Sequence, residues 1–312
     1  MSKCILLALL CALSACTVNV EVGDTPEPSF LDRVEHRYAE NDGVRLHYVS
    51  LGKGPLIVMI HGFPDFWYSW RDQMQALSNT HQVVAIDNRG YNRSDQPEGV
   101  AAYTMPNLVG DIAAVIRTEG ARSATIVGHD WGGAIAWSVA AFRPELVDRL
   151  IVLNLPHPNG LSRELRKSPA QRKASEYAFA FQDPDAHNAL KAEQLAEWVA
   201  DPIARERYVE AFERSSFDGM LNYYRANYAR PAQLDAAEEP RPMPPIKAPV
   251  LLMHGLEDWA LLPGGLNGTW EWVEQDLTMV TVPGAGHFVQ HDASAFVTRT
   301  MRSWLADRPD RR

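Results

Sequence analysis

Between the apolar run Ala124-Thr125-Ile126-Val127 and the helix-forming run from Ala134 to Ala141 stand Gly128-His129-Asp130-Trp131-Gly132-Gly133. That order gives a strand, a tight turn and a helix, and the small residues around the turn let the backbone lift one side chain above the sheet edge. The lifted residue is Asp130, a carboxylate nucleophile. A serine attacking saturated carbon would leave an ether that water cleaves poorly, whereas an aspartate leaves an ester that an activated water can hydrolyse. The residue type therefore points to an alkyl carbon as the electrophile.

Hydrolysis of such an ester needs a base after the nucleophile in chain order, near the last sheet strand. His287 occupies that place in Gly284-Ala285-Gly286-His287-Phe288. His81 and His291 fit ordinary solvent-exposed loop positions better. Asp258, in His254-Gly255-Leu256-Glu257-Asp258, is placed to hold the imidazole in one tautomer, with Glu257 as the weaker competitor. Charge developing on the ester carbonyl asks for two backbone donors. The N–H groups of Phe63, in His61-Gly62-Phe63-Pro64, and of Trp131 supply an oxyanion hole. Phe63, Trp131, Trp259 and Phe288 are candidates to line an apolar substrate pocket. This chemistry requires no cofactor, and no His/Cys/Asp spacing asks for a metal.

These residues need a scaffold that brings distant strand ends together. Val34 to Leu51 alternates around the turn signal Asn41-Asp42-Gly43, which predicts an antiparallel hairpin at one sheet edge. Apolar runs at 56–60, 82–86, 124–127, 150–153, 250–253 and 277–282 then predict buried parallel strands separated by helices. One helix starts near Thr104 with Pro106 in its first turn; the last places Phe296, Val297, Met301, Trp304 and Leu305 on one face. The fold class is α/β, a doubly wound, mostly parallel sheet with sites at the strand C-termini. Residues 156–245 break the rhythm and read as an inserted helical cap between a first core segment at 31–155 and a second at 246–312.

Of the 312 residues 46% are hydrophobic, enough for one large domain with an insertion. The net charge of −9, with no basic run or stacking-aromatic stripe, excludes nucleic acid as a partner. At the N-terminus Lys3 precedes the apolar stretch Ile5 to Leu13, too short to span a bilayer and of the length of an export signal. Its end, Leu13-Ser14-Ala15-Cys16, resembles the lipobox of bacterial lipoproteins. The resemblance implies a signal peptide over 1–15, lipidation of Cys16, a tether over 16–30 and, with Thr17 rather than aspartate next, an outer-membrane protein facing the periplasm. Simple cleavage without lipidation is the alternative. The three cysteines all lie in this segment, so the mature fold keeps no disulfide.

The motifs around His61, Asp130, Asp258 and His287 resemble those of the epoxide hydrolases of the α/β-hydrolase superfamily, over everything after the tether. In that family two cap tyrosines grip the epoxide oxygen, one before a Phe-Gln-x-Pro segment and one within Asn-aromatic-Tyr-Arg. Here Tyr177 precedes Phe181-Gln182-Asp183-Pro184, and Tyr224 lies in Asn222-Tyr223-Tyr224-Arg225. The resemblance implies that Tyr177 and Tyr224 are catalytic, with a small apolar epoxide and water as substrates. Tyr223 and Tyr228 are assigned to packing. The superfamily loop Asp87-Asn88-Arg89-Gly90-Tyr91-Asn92 departs from the usual pattern by carrying Asn92 for a glycine, which asparagine's tolerance of left-handed backbone allows. Two rivals share the fold: a haloalkane or haloacetate dehalogenase using the same aspartate, and a lipoprotein that binds without turnover. The tyrosine pair speaks against the first, and the complete set of site residues against the second.

Overall fold

The computed structural model describes residues 29–237 and 241–308; the expected signal peptide and Cys16 lie outside them. Asp42 and Gly43, both at positive φ, turn β1 (Glu35–Asn41) back onto β2 (Val44–Leu51) in an antiparallel hairpin. The apolar runs then become β3 (Leu56–Ile60), β4 (Gln82–Ile86), β5 (Ala124–His129), β6 (Val147–Leu153), β7 (Val250–Gly255) and β8 (Leu277–Val282). They build one eight-stranded sheet in the order β1-β2-β4-β3-β5-β6-β7-β8, in which β2 meets β4 antiparallel and every later pair is parallel. β3 and β5 are buried along their whole length, as unbroken apolar runs sandwiched between helices must be.

After α1 (Phe30–Arg33), the helices that cover the sheet are α2 (Arg71–Leu77), α3 (Met105–Thr118), α4 (Trp131–Phe142) and, at the end of the chain, α12 (Val289–Asp292) and α13 (Ser294–Ala306). α4 is buried almost throughout because it runs under the centre of the molecule. α13 buries Val297, Met301, Trp304 and Leu305, but Phe296, expected on the same face, is 40% exposed. Its position one residue before Val297 turns it about 100° away from that stripe.

Among the described residues between β6 and β7 there is no named strand. It forms α5 (Pro158–Lys167), α6 (Pro169–Ala174), α7 (Glu176–Ala180), α8 (Ala192–Leu195), α9 (Pro202–Glu213), α10 (Phe217–Asn227) and α11 (Pro231–Leu234). Proline in the first turn starts α5, α6, α9 and α11, where its missing N–H is not needed. These helices lie on the C-terminal side of the sheet: Tyr223 of α10 donates to the Arg89 carbonyl, and Tyr208 of α9 donates to Asp65 at 2.8 Å. The loop after β4 receives them. There Asn92 takes the left-handed φ of 45°, donates to Asp87, and accepts from Arg214 at the end of α9.

Candidate active site

Asp130 sits between the end of β5 and the start of α4 at φ 50° and ψ −120°, a conformation costly for any residue with a Cβ and kept only where surrounding packing enforces it. The enforcement is visible on both sides: a Cβ at Gly128 would collide with the Gly132 carbonyl, and one at Gly132 with the Ile60 carbonyl. The turn therefore presses against β3, whose C-terminal extension carries Phe63. The Phe63 N–H donates to Asp130 Oδ1 at 2.8 Å, and the Trp131 N–H also hydrogen-bonds the carboxylate. Burial raises the Asp130 pKa, while the facing His287 and these two amides pull it down.

His287 arrives on the loop after β8, with Nδ1 2.9 Å from Asp258 Oδ2 and Nε2 3.7 Å from Asp130 Oδ2. Asp258, at the end of β7, spends Oδ1 on the amides of Ala260 and Leu261 and Oδ2 on His287 and the Asn154 side chain. This fixes the imidazole with Nδ1–H toward Asp258 and Nε2 toward Asp130. Burial alone would depress the imidazole pKa; the charges of Asp258 and Asp130 outweigh it and raise the pKa to about 8. Asp258, despite burial, is held well below the usual carboxylate range by His287 and Asn154. Glu257 points to solvent instead.

Above Asp130 lies a cavity of about 350 Å³ walled by Trp131, Tyr177, Tyr224, Tyr228 and apolar side chains including Leu155, Leu161, Leu165, Leu234 and Met243. Tyr177 comes from α7 and Tyr224 from α10, their rings 6.2 Å apart in an edge contact. Burial first, then the charge of Asp130 for Tyr177 and the neighbouring Tyr177 followed by Asp130 for Tyr224, push both phenols well above their ordinary pKa of 10, so both are neutral at pH 7.

Three of the four aromatics expected in the pocket are not walls of this cavity. Phe63 turns its ring into edge contacts with Phe181 and Tyr224; Phe288 stacks flat on Trp198 at 3.7 Å; Trp259 is 63% exposed and touches the ring of Tyr177. Conversely Tyr228, assigned to packing, is a wall. His291 is not a free loop histidine: on α12 it hydrogen-bonds Ser69 at 3.0 Å and lies 3.9 Å from Asp65.

The sequence reading missed Asn154. Asn154, at φ 43° just past β6, donates to Asp258 and to the Gly286 carbonyl and accepts from the Gly255 N–H, tying three site-bearing segments together. A polar residue ending an apolar strand at the site edge was the available signal. Asn88 donates its N–H to His61 Nε2 and its side chain to the His61 carbonyl, fixing the turn that presents Phe63.

Residues 55–294 match the family model for the alpha/beta hydrolase fold. Epoxide hydrolase 2 of Caenorhabditis elegans is 33% identical over 299 residues, covering 90% of this chain and 82% of that protein. The chain is an α/β hydrolase of the epoxide hydrolase family. Epoxide hydrolase 3 of Xenopus tropicalis, 31% identical over 300 residues, covers 88% of the chain and 78% of its own length. Among solved structures, the Bacillus megaterium epoxide hydrolase in complex with an inhibitor shares 36% identity and a TM-score of 0.79, covering 86% of this family member and all of that chain.

Proposed function

We propose that this epoxide hydrolase family member converts an apolar epoxide to a vicinal diol through an alkyl ester on Asp130. Asp130 attacks an epoxide carbon from one side while Tyr177 and Tyr224 donate to the ring oxygen from the other. The C–O bond breaks, one phenol gives its proton to the departing alkoxide, and an ester remains on Asp130. What carries this reading is one juxtaposition: the carboxylate of Asp130 and the neutral phenols of Tyr177 and Tyr224 line one largely apolar cavity. An alkyl halide would give those phenols no oxygen to protonate.

Ester formation itself readies the second half. The negative charge 3.7 Å from Nε2 vanishes on alkylation, one of the carboxylate charges that raise the His287 pKa is lost, and the imidazole gives up its proton more readily to stand neutral, ready to act as base. Neutral His287 then takes a proton from water and hydroxide adds to the ester carbonyl, with the Phe63 and Trp131 amides stabilising the oxyanion; collapse expels the diol oxygen, which takes that proton back from His287, and the new carboxyl proton of Asp130 passes to the phenolate, restoring both groups. In single turnover in ¹⁸O-water with enzyme in excess, the heavy oxygen is expected in Asp130 and not in the diol. Heavy diol with unlabelled Asp130 would show direct attack by water and overturn the scheme.

Asn154 separates the two halves experimentally. Asn154→Ala removes a hydrogen bond to a buried carboxylate, about 1.5–3 kcal/mol, and is expected to slow ester hydrolysis roughly 10- to 100-fold. Stopped-flow traces should show ester accumulating while its formation rate stays near wild type; equal slowing of both steps would contradict the assignment. The lipobox-like Leu13-Ser14-Ala15-Cys16 supports an exported form held at the outer membrane through lipidated Cys16.

A further inference from the structure

Ser175 is the N-cap residue of α7, yet its side chain makes no cap hydrogen bond. It is buried, and its hydroxyl is committed elsewhere: it accepts from the Tyr228 hydroxyl at 3.0 Å and from the Gln171 side-chain amide at 3.1 Å. A serine that gives up its usual capping role forgoes about 1 kcal/mol of helix stability, so the alternative contacts have to compensate. The partners explain what they hold. Tyr228 lies one turn after Tyr224, at the C-terminal end of α10, and Ser175 lies two residues before Tyr177, at the start of α7. The Tyr228–Ser175 bond therefore spans the two helices that carry the two epoxide-facing phenols.

A second link runs beside it: the Gln182 side chain, just past α7, donates to the Tyr228 carbonyl at 3.1 Å. The chain also continues into the core. Gln171, buried in α6, donates to the Ala260 carbonyl at 2.8 Å and accepts from the Leu262 N–H at 2.9 Å. The amides of Ala260 and Leu261 in that same loop hold Asp258 Oδ1. An unbroken series of hydrogen bonds thus leads from Tyr228 through Ser175 and Gln171 to the loop that clamps the triad acid.

We propose that Tyr228, Ser175 and Gln171 are positioning residues: the Tyr228–Ser175 bond sets the spacing of Tyr177 and Tyr224, and Gln171 anchors that spacing to the Asp258 loop. This rests on the epoxide-hydrolysis reading, because positioning matters only if the two phenols act on one oxygen. Each deletion then has its own kinetic signature. Losing the Tyr228–Ser175 bond misplaces the phenols, which serve ring opening, and leaves ester hydrolysis to an undisturbed Asp258–His287 pair. Losing Gln171 loosens both ends.

The test is single-turnover kinetics on the full chain with styrene oxide, resolving ester formation from ester decay. Tyr228→Phe and Ser175→Ala are each expected to slow ester formation about 10-fold and to change decay less than about 2-fold, a split that general loss of stability would not produce. The double variant should be no slower than Ser175→Ala, which already loses the Tyr228 bond together with the Gln171 bond to the same hydroxyl, and Ser175→Thr should restore the rate. Gln171→Leu should slow both steps. Unchanged ester formation in Tyr228→Phe, parallel loss in both steps, or multiplicative effects in the double variant would overturn the proposal. Absence of any ester in the wild type would instead strike the parent reading, and this one with it.

Discussion

Incubated with styrene oxide, His287→Ala protein should gain the mass of one substrate molecule on Asp130 and keep it. Nε2 of His287 is the titratable base facing the carboxylate, and both oxygens of Asp258 are already committed to other donors. Removing the imidazole leaves water without a proton acceptor at the ester, while Asp130, Tyr177 and Tyr224 stay in place to form it. Loss of a triad member costs roughly 10,000-fold or more in related charge-relay sites, and that loss should fall on ester breakdown. Ester formation should persist, and its rate can be read directly because nothing drains the adduct. Intact mass spectrometry followed by peptide mapping decides the matter. An unmodified protein after exposure to a broad set of epoxides would sink the covalent route.

The second large effect is expected from Tyr177→Phe combined with Tyr224→Phe. Both phenols are neutral at pH 7, since burial and the charge of Asp130 raise them well above 10, and either can hand a proton to a strongly basic alkoxide. General-acid assistance is worth about 100- to 10,000-fold, so the double variant should open epoxides roughly 1,000-fold more slowly. Each single variant should lose much less, because the remaining phenol still reaches the oxygen. The contrast with His287→Ala is diagnostic: here no adduct accumulates, since the first step is the one that fails. The pre-steady-state rate of adduct formation measures it, and double-variant ring opening within 10-fold of wild type would remove the tyrosines from the mechanism.

How far the sequence carried the structure varied with the range of the interactions. Asp130, Asp258 and His287 were legible because each ends a recognisable apolar strand, and parallel strands deliver their C-termini to one edge. The hairpin at Asp42-Gly43 was legible because its turn chemistry is local. The pocket walls were not. Phe63, Trp259 and Phe288 stand next to site residues in the chain, but a ring's direction depends on partners such as Phe181 and Trp198, which come from the cap. Tyr228 does pack against the core, but its place in the cavity wall was hidden for the same reason, since its contact with Ser175 joins residues 53 apart. Asn154 escaped notice because its three contacts reach segments that meet only in the folded sheet.

The cap is spliced into the sheet between β6 and β7, which places the residues in a particular order along the chain: Asp130 first, Tyr177 and Tyr224 next, Asp258 and His287 last. Under the proposed mechanism, the groups that capture substrate leave the ribosome before the groups that release it. His129 and His287, in van der Waals company in the finished molecule, are 158 residues apart, and at 5–20 residues per second that gap is roughly 8 to 30 seconds of translation. Under that mechanism turnover waits for β7 and β8, since the loops that follow these two strands carry Asp258 and His287.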